Sequence, residues 1–252
     1  LDISPHLALN YSLTSEHTLR FSVSRAVRTP VMLEEMANQR FAVGNDFVQE
    51  FAATGGLDSE KITALDLGYL GRFPDAGISV DARLFYSHIT ELITYYVRPY
   101  PQSLPGITLD FRNGDDLLIR GFETQVQFQP VEASRLIVNY AYTRLTGSDV
   151  DEEYSKSGPR HNFSLLGIQQ LPANYQASIG FYYMSDYDGV DTGTHIPVTR
   201  RLDLRLAKSW ELSHNRRLEG SITLQSVLGE YQDFRSVNTF DTRAYLKLRF
   251  WF

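Results

Sequence analysis

The sequence has no cysteine, no excess of basic residues and no long apolar run. The lack of cysteine excludes disulfides, thiolate nucleophiles and cysteine-ligated zinc or iron–sulfur sites. The 24 Lys and Arg against 30 Asp and Glu give a formal charge of -6, which argues against a nucleic-acid partner that needs a basic face. Because no apolar run approaches the roughly 18 residues of a membrane-spanning helix, a helical membrane protein is excluded as well.

Aromatic residues are abundant, with 15 Tyr and 15 Phe, and this composition suits β-strands. Along much of the chain, apolar residues alternate with polar ones at a period of two, which indicates strands with one apolar face. The last segment shows it most clearly, with two opposed sets: Ala244, Leu246, Leu248, Phe250 and Phe252 against Arg243, Tyr245, Lys247, Arg249 and Trp251.

The alternation predicts an all-β, antiparallel fold of about eleven long strands. We place them at 3–13, 18–27, 61–73, 78–96, 117–129, 135–145, 161–171, 175–185, 197–211, 217–228 and 242–252. Most are longer than the usual strand of about five or six residues. They are long enough to cross a bilayer at a tilt, which predicts a transmembrane β-barrel.

The connections between these strands alternate in length without exception. Short turns fall at 14–17, 74–77, 130–134, 172–174 and 213–216, and long connections at 28–60, 97–116, 146–160, 186–196 and 229–241. This order is typical of an outer-membrane barrel with tight periplasmic turns and long outer loops. The last strand then runs toward the periplasm. Because such barrels have an even number of strands, we expect an N-terminal part to be missing, and the start at Leu1 shows neither an initiator Met nor a signal peptide.

Short motifs follow one another in order along the chain. They are Arg28-Thr29-Pro30 with Leu33-Glu34-Glu35, Ser59-Glu60-Lys61-Ile62-Thr63 with Asp66-Leu67-Gly68-Tyr69, Ile119-Arg120-Gly121-Phe122-Glu123, Gly158-Pro159-Arg160-His161 and the ending Tyr245 to Phe252. Their order and spacing resemble the C-terminal half of a TonB-dependent outer-membrane receptor. Ser59 and Asp66 stand where that family commonly has Pro and Glu.

The resemblance implies an outer-membrane barrel of 22 strands around an N-terminal plug. Residues 1–252 would form the C-terminal part of that barrel, while the plug and the TonB box do not occur in them. The implied partners are the TonB complex, contacted through the missing part, the membrane lipid and the barrel-assembly machinery. The barrel-assembly machinery would recognise a C-terminal signal that comprises Tyr245, Leu248, Phe250 and Phe252. No cofactor, metal ion or nucleic acid is implied.

The resemblance also implies import of a scarce, large solute, and family frequency favours a ferric siderophore. Cobalamin, haem, a glycan or another metal chelate would look the same at this level. A passive porin or a structural barrel is the alternative from another class. An outer-membrane hydrolase would need a pair such as Ser164 with His161, but no Gly-x-Ser-x-Gly elbow accompanies it, and we predict that the protein is not an enzyme.

Ligand contacts are expected in the outer loops, where aromatic and basic side chains could hold an anionic, aromatic iron chelate. The candidates are Tyr95, Tyr96, Arg98, Tyr100, Tyr183, Tyr187, His195, Tyr231, Phe234 and Arg235. An aromatic girdle at the membrane interface is the alternative for the tyrosines nearest the strand ends. The longest loop, with Met32, Met36 and Arg40, is long for a structureless connection, which favours a short helix and a lid or binding role.

Charged residues inside the strands are expected to face the lumen, because an Arg or Lys at the lipid midplane costs about 2–4 kcal/mol. They are Arg20, Asp66, Arg83, Glu123, Arg201, Asp203, Arg205, Lys247 and Arg249. We interpret them as ion pairs of the barrel wall, or as contacts to a plug or a wet channel.

Metal-binding patterns are weak throughout the sequence. The six His are scattered without a zinc-ligand spacing. The segment from Asp186 to Asp191 resembles the start of a calcium loop, but Val190 and Pro197 stand where an EF-hand needs ligands. The acidic run of Asp149, Asp151, Glu152 and Glu153 is expected to be a solvated loop tip at which divalent cations could collect.

Overall fold

The computed structural model describes residues 3–43, 47–100, 105–114, 116–147, 152–189, 194–212, 216–232 and 238–252. Its strands are β1 (His6–Ser12), β2 (His17–Arg28), β3 (Asn38–Val43), β4 (Phe47–Ala52), β5 (Glu60–Phe73), β6 (Ile78–Thr90), β7 (Ile93–Pro99), β8 (Gly106–Asn113), β9 (Leu117–Val131), β10 (Ser134–Gly147), β11 (His161–Leu171), β12 (Tyr175–Met184), β13 (Tyr187–Asp188), β14 (His195–Ile196), β15 (Thr199–Glu211), β16 (Arg217–Gln225), β17 (Tyr231–Gln232), β18 (Thr239–Phe240) and β19 (Arg243–Trp251). Two short helices are α1 (Met32–Met36) and α2 (Glu152–Lys156).

One antiparallel sheet of 11 strands, called the large sheet below, dominates the chain. Its order is β1-β2-β5-β6-β9-β10-β11-β12-β15-β16-β19. Each strand therefore pairs with the next long strand along the chain, as in an up-and-down barrel. Every strand predicted from the alternation of residues contributes to this sheet, so the predicted strand number and antiparallel order are confirmed. No helix within the described residues is long and apolar enough to span a membrane.

Two predicted strand ends are wrong because the chain turns earlier than the alternation of residues suggests. The strand predicted at 78–96 ends at Thr90, and Glu91 has a φ of 56° before β7 begins in another sheet. The strand predicted at 217–228 ends at Gln225, followed by Ser226 with a φ of 54°. Side chains disfavour this left-handed conformation, so the sequence pattern gave no sign of either turn.

The register assigns every residue of the large sheet to one of two faces. One face, called the polar face, carries charged and amide side chains; for example, Asp66 is paired with Phe85, and Arg83 with Glu123. The other, called the apolar face, carries leucines and aromatic rings. Leu84 on this face is 57% exposed and Leu246 is 86% exposed, so its apolar side chains are not covered by protein. A surface of this kind suits contact with lipid.

Short turns close one end of the large sheet. Between β5 and β6 a single 3-10 turn, Pro74–Ala76, is followed by Gly77 in the left-handed conformation with a φ of 63°. Proline fixes the φ that starts the turn, and glycine accepts the positive φ that ends it. A Cβ atom at Gly77 would lie 2.2 Å from the carbonyl oxygen of Gln129, so this turn also lets β9 approach closely.

Two of the long connections fold together into a second sheet, called the loop sheet below. Strands β3 and β4 come from the connection after β2, and β7 and β8 from the connection after β6. The order is β3-β4-β8-β7, and the joining pair, β4 with β8, is parallel. The short helix expected in the longest loop is α1, which precedes β3.

Candidate functional site

The charged strand residues predicted to face the lumen all lie on the polar face of the large sheet. Arg20 pairs with Asp81, and Arg83 lies 3.0 Å from Glu123 and 3.8 Å from Asp66. Further along the sheet there are two more ion pairs, Arg201 with Asp203 and Arg205 with Glu219 at 2.8 Å. Lys247 and Arg249 occupy the same face of β19. The structure thus brings most of this set into ion pairs. Those of Arg83 and Arg205 join neighbouring strands, the Arg20–Asp81 pair spans β5, and the Arg201–Asp203 pair lies within β15.

The polar face borders a cleft of about 920 Å³. Its floor includes a run of amide and hydroxyl groups: Gln125 donates to Asn139 at 2.7 Å, and Asn139 donates to Ser164 at 3.0 Å. The sequence analysis did not predict these neutral polar residues as lumen contacts, and Ser164 was considered only for the hydrolase alternative. Because these residues alternate with apolar ones along β9, β10 and β11, the sequence alternation could have placed them on the polar face.

Arg201 contacts three side chains at the long-loop end of this cleft. Its guanidinium donates to Asp203, with Nε 2.8 Å from the carboxylate. It also lies over the ring of Tyr182 at 5.3 Å and reaches the hydroxyl of Tyr231 at 3.5 Å. Tyr231 was predicted as a ligand contact, whereas Tyr182 was missed in favour of its neighbour Tyr183.

The loop sheet has an arginine side, formed by Arg40, Glu50, Tyr96, Arg98, Thr108 and Asp110. The register places Arg40, Glu50, Thr108 and Arg98 side by side across its four strands. The two carboxylates are buried, with Glu50 4% and Asp110 0% exposed. The side chains of Arg40 and Arg98 are 55% and 40% exposed. Cations therefore cover the carboxylates and face outward.

Asp110 is the centre of the hydrogen bonds on the arginine side. One carboxylate oxygen accepts from the backbone N–H of Thr54 at 2.9 Å and of Phe111 at 2.8 Å. The other accepts from the hydroxyls of Thr54 at 2.7 Å and Tyr96 at 3.0 Å. Because Thr54 belongs to the first long connection and Tyr96 to the second, Asp110 ties the two together.

The pKa values on the arginine side follow from these contacts. Burial opposes ionisation of Asp110, but the hydrogen bonds from Thr54, Phe111 and Tyr96 outweigh it and hold its pKa below the ordinary value of 3.8. The hydrogen bonds from Arg40 and then Thr108 lower the pKa of Glu50. The hydrogen bond to Asp110, together with burial, raises the pKa of Tyr96. Both carboxylates are therefore ionised at neutral pH.

The other predicted ligand residues do not form one site. Tyr95 lies on the loop sheet side opposite Tyr96, and Tyr100 is only 8% exposed, beneath Arg40 at 6.0 Å. Tyr183 is on the apolar face, as its register with Phe163 shows. Tyr187 and His195 lie in the β13–β14 hairpin, where His195 is 2.9 Å from Asp188. Phe234 and Arg235 lie outside the described residues.

The residues of the hydrolase alternative are not arranged for catalysis. Ser164 is on the polar face, bonded to Asn139, whereas His161 is on the apolar face, 2.8 Å from the hydroxyl of Tyr140. In a strand, residues three apart point to opposite faces. Since the imidazole cannot reach the Ser164 hydroxyl, this pair cannot act as nucleophile and base.

Metal-ligand clusters are likewise missing from the part of the chain that the structure describes, where no three His, Asp or Glu side chains converge. Val190 and Asp191 of the calcium-like segment lie outside that part, as do Asp149 and Asp151 of the acidic run.

The predicted assembly signal is divided between the two faces of β19. Leu248 and Phe250 lie on the apolar face, and Tyr245 on the polar face. The rings of Phe250 and Phe252 are stacked at 6.0 Å.

Comparisons with known proteins agree with this architecture. Residues 2–227 match the family model described as TonB dependent receptor-like, beta-barrel. A search of curated protein sequences found no match. Among solved structures, the ferric-catecholate import receptor Fiu from K12 E. coli aligns with a TM-score of 0.69 and 14% identity, over 97% of this chain and 34% of its own.

Two other solved structures show the same partial overlap. The iron transporter FrpB from Neisseria meningitidis aligns with a TM-score of 0.70 and 10% identity, over 98% of this chain and 38% of its own. The copper transporter OprC aligns with a TM-score of 0.67 and 15% identity, over 92% of this chain and 34% of its own. The chain thus spans well under half the length of the structures it resembles.

These identities show the fold alone, whereas the family model covers most of the chain. The chain belongs to the TonB-dependent receptor β-barrel family, a family of bacterial outer-membrane transporters that are not enzymes.

Proposed function

We propose that the polypeptide carrying this chain binds an anionic metal chelate, a ferric siderophore, and imports it across the outer membrane with energy from the TonB complex. In this proposal residues 1–252 form the C-terminal part of a 22-stranded barrel. The polar face lines the lumen and meets a plug formed by another part of the polypeptide. The structural relatives named as ferric-catecholate and iron transporters support this choice of cargo.

The main support for this proposal is the arginine side of the loop sheet. Arg40 and Arg98 are exposed above the buried carboxylates of Glu50 and Asp110. A ligand arriving from outside therefore meets guanidinium groups first, with the ring of Tyr96 beside them. Guanidinium groups hydrogen-bond anionic oxygens in pairs, and aromatic rings stack on catecholate rings. Such a surface selects an anionic, aromatic ligand over a neutral one.

Arg201 offers a second contact point below the loops. Its guanidinium is fixed by Asp203 and Tyr182 at the long-loop end of the cleft. A chelate released from the loop sheet would next meet this cation and the hydroxyl of Tyr231. The polar floor formed by Gln125, Asn139 and Ser164 then provides hydrogen-bonding groups rather than apolar surface along the passage.

The test uses the complete polypeptide and a tris-catecholate ferric siderophore as the probe. We expect R40Q and R98Q each to weaken binding about tenfold, since a hydrogen bond to a charged group contributes roughly 1.5–3 kcal/mol. R160Q is the matched control, because Arg160 is exposed in another long connection. Uptake of the radiolabelled chelate should stop when the proton gradient is discharged.

Two results would contradict the proposal. Equal binding of a cationic ferric hydroxamate, with no loss in R40Q or R98Q, would show that the arginine side does not select anions. Uptake that continues without the proton gradient would favour the passive porin.

A further inference from the structure

A second set of cations lies on the apolar face of the large sheet, away from the proposed lumen. Its members are Arg25, Lys61, Arg120, Arg144 and Arg200, called the cationic belt below, and His88 and His161 accompany them on the same face. The register places them on one face of β2, β5, β6, β9, β10, β11 and β15. Each lies within three residues of the end of its strand that leads to a long loop.

No carboxylate accompanies the cationic belt on its own face. The Asp and Glu residues in the strands of the large sheet all project from the polar face: Glu60, Asp66, Asp81, Glu123, Asp203, Glu211 and Glu219. Among the described residues, none of Arg25, Lys61, Arg120, Arg144 and Arg200 forms an ion pair. On the same face, His88 lies 2.9 Å from a loop acid, Asp116. The belt is thus positively charged without internal compensation.

Arg120 and Arg144 show this lack of compensation most sharply. They are direct partners in the β9–β10 register, and both side chains are exposed. Directly opposed like charges destabilise a strand pair. An anion between the two guanidinium groups would convert the repulsion into paired, charge-assisted hydrogen bonds.

Aromatic residues mark the height of the cationic belt in the membrane. Tyr86 is the register partner of Arg120, and Tyr183 that of Arg200. Toward the middle of the strands the same face continues with apolar residues such as Leu84 and Phe122. Tyrosines border the apolar band of a membrane barrel, so the belt lies at the level of the lipid headgroups.

The two ends of the apolar face differ in charge. At the short-turn end, the apolar face of the described strands carries His17 and a single Lys or Arg, Lys208. The ammonium group of Lys208 is held over the rings of Tyr175 at 4.4 Å and Trp210 at 5.7 Å. The four arginines of the apolar face in the described strands lie at the opposite end. Since long loops extend outward from such barrels, the belt faces the outer leaflet.

We propose that the cationic belt binds the phosphate groups of outer-leaflet lipid headgroups, with Arg120 and Arg144 as its centre. Guanidinium groups match phosphate oxygens in geometry and charge. The acyl chains of such a lipid would lie along the leucines and rings below the belt. This lipid site lies outside the barrel wall and does not depend on the transported ligand.

The test measures binding of lipid A bisphosphate to the complete receptor, purified in a zwitterionic detergent. We expect the R120Q/R144Q variant to bind at least about tenfold more weakly, since both charged partners of the phosphates are removed. The R120K/R144K variant should retain most of the affinity. The matched control is R135Q/R243Q, which removes the same charge from the polar face.

Three results would overturn the proposal. The first is unchanged binding in R120Q/R144Q, and the second is equal binding of lipid A from which both phosphates have been removed. The third is displacement of the lipid by millimolar inorganic phosphate, which would indicate a site for the free ion. If R120Q/R144Q does not assemble, R25Q/R200Q provides the same comparison from the flanks of the belt.

Discussion

Asp110 shows how one carboxylate can hold two loops together. Its four hydrogen-bond donors come from Thr54, Phe111 and Tyr96, and Arg98 lies 3.6 Å away. A buried carboxylate is stable only when such donors replace the water it loses. The residue therefore adds side-chain hydrogen bonds to the β4–β8 pairing that joins the two connections.

Replacing Asp110 by Asn should loosen the loop sheet and leave the large sheet intact. Each carboxylate oxygen accepts two donors, so an amide in either orientation leaves two donors unsatisfied. The expected cost is roughly 1–3 kcal/mol. Hydrogen exchange measured by mass spectrometry should show lost protection in β7 and β8, and D75N in an exposed turn should behave as the wild type. Unchanged protection in D110N would contradict this role.

Acid should have the same effect as the D110N substitution. The pKa of Asp110 in the folded protein lies below the ordinary value of 3.8. The ionised Asp110 carboxylate therefore contributes its full stabilisation at any pH above 3.8. This stabilisation is lost as the pH falls through the lowered pKa. Exchange of β7 and β8, corrected for the intrinsic rate, should therefore rise in this acid range, and less steeply in D110N. An identical acid response in both proteins would assign the effect to other groups.

At the scale of elements, the close packing of strands β9 and β10 explains the glycine of the Ile119 to Glu123 motif. In the Ile119 to Glu123 motif, a Cβ atom at Gly121 would lie 1.9 Å from the carbonyl oxygen of Tyr142 and 2.8 Å from the ring of Phe85. Glycine here lets the two strands approach closely while the phenyl ring covers them. The motif thus reflects packing between strands and not contact with a ligand.

The G121A variant should therefore lower barrel stability. Backbone cannot move aside as a flexible side chain can, and overpacking of this kind costs about 1–3 kcal/mol. The assembled fraction of the complete receptor, measured by the temperature at which its electrophoretic mobility changes, should fall. G158A is the control, because its Cβ would meet only a leucine methyl at 3.3 Å. Equal behaviour of the two variants would remove the packing explanation.

At the scale of the whole molecule, the large sheet is open. Strands β1 and β19 stand at its two edges, and neither pairs with the other. On β19, Leu246 and Leu248 are 86% and 78% exposed. Unpaired backbone groups at such an edge are costly in lipid, so we expect the sheet to close only together with further strands.

The 252-residue chain expressed alone should consequently not form a closed barrel. In detergent or liposomes it should run at the unfolded position without heating and should be cut by protease along β1 and β19. The complete polypeptide under the same conditions is the control. A heat-resistant monomer from these residues alone would disprove the half-barrel arrangement.

The fold followed from the sequence because its signal is local. Side chains on a strand alternate between faces, so Leu246 and Lys247 already indicate one apolar and one polar face. The same alternation predicted which charges share the polar face. The alternation did not predict the strand ends at Glu91 and Ser226, where the backbone takes a left-handed conformation. Neither residue is of a type that usually marks such a turn.

The sequence by itself determined the strands, their antiparallel order and the two faces of the sheet. The reason is that neighbouring residues of a strand point to opposite faces, so that apolar and polar residues alternate along the sequence. Only the tertiary structure decided the loop sheet, with Glu50 beside Thr108 and Asp110 beside Tyr96. It also decided that Arg120 is opposite Arg144. These contacts join residues far apart in the chain, and their partners are selected by hydrogen bonding and register, which no local pattern records.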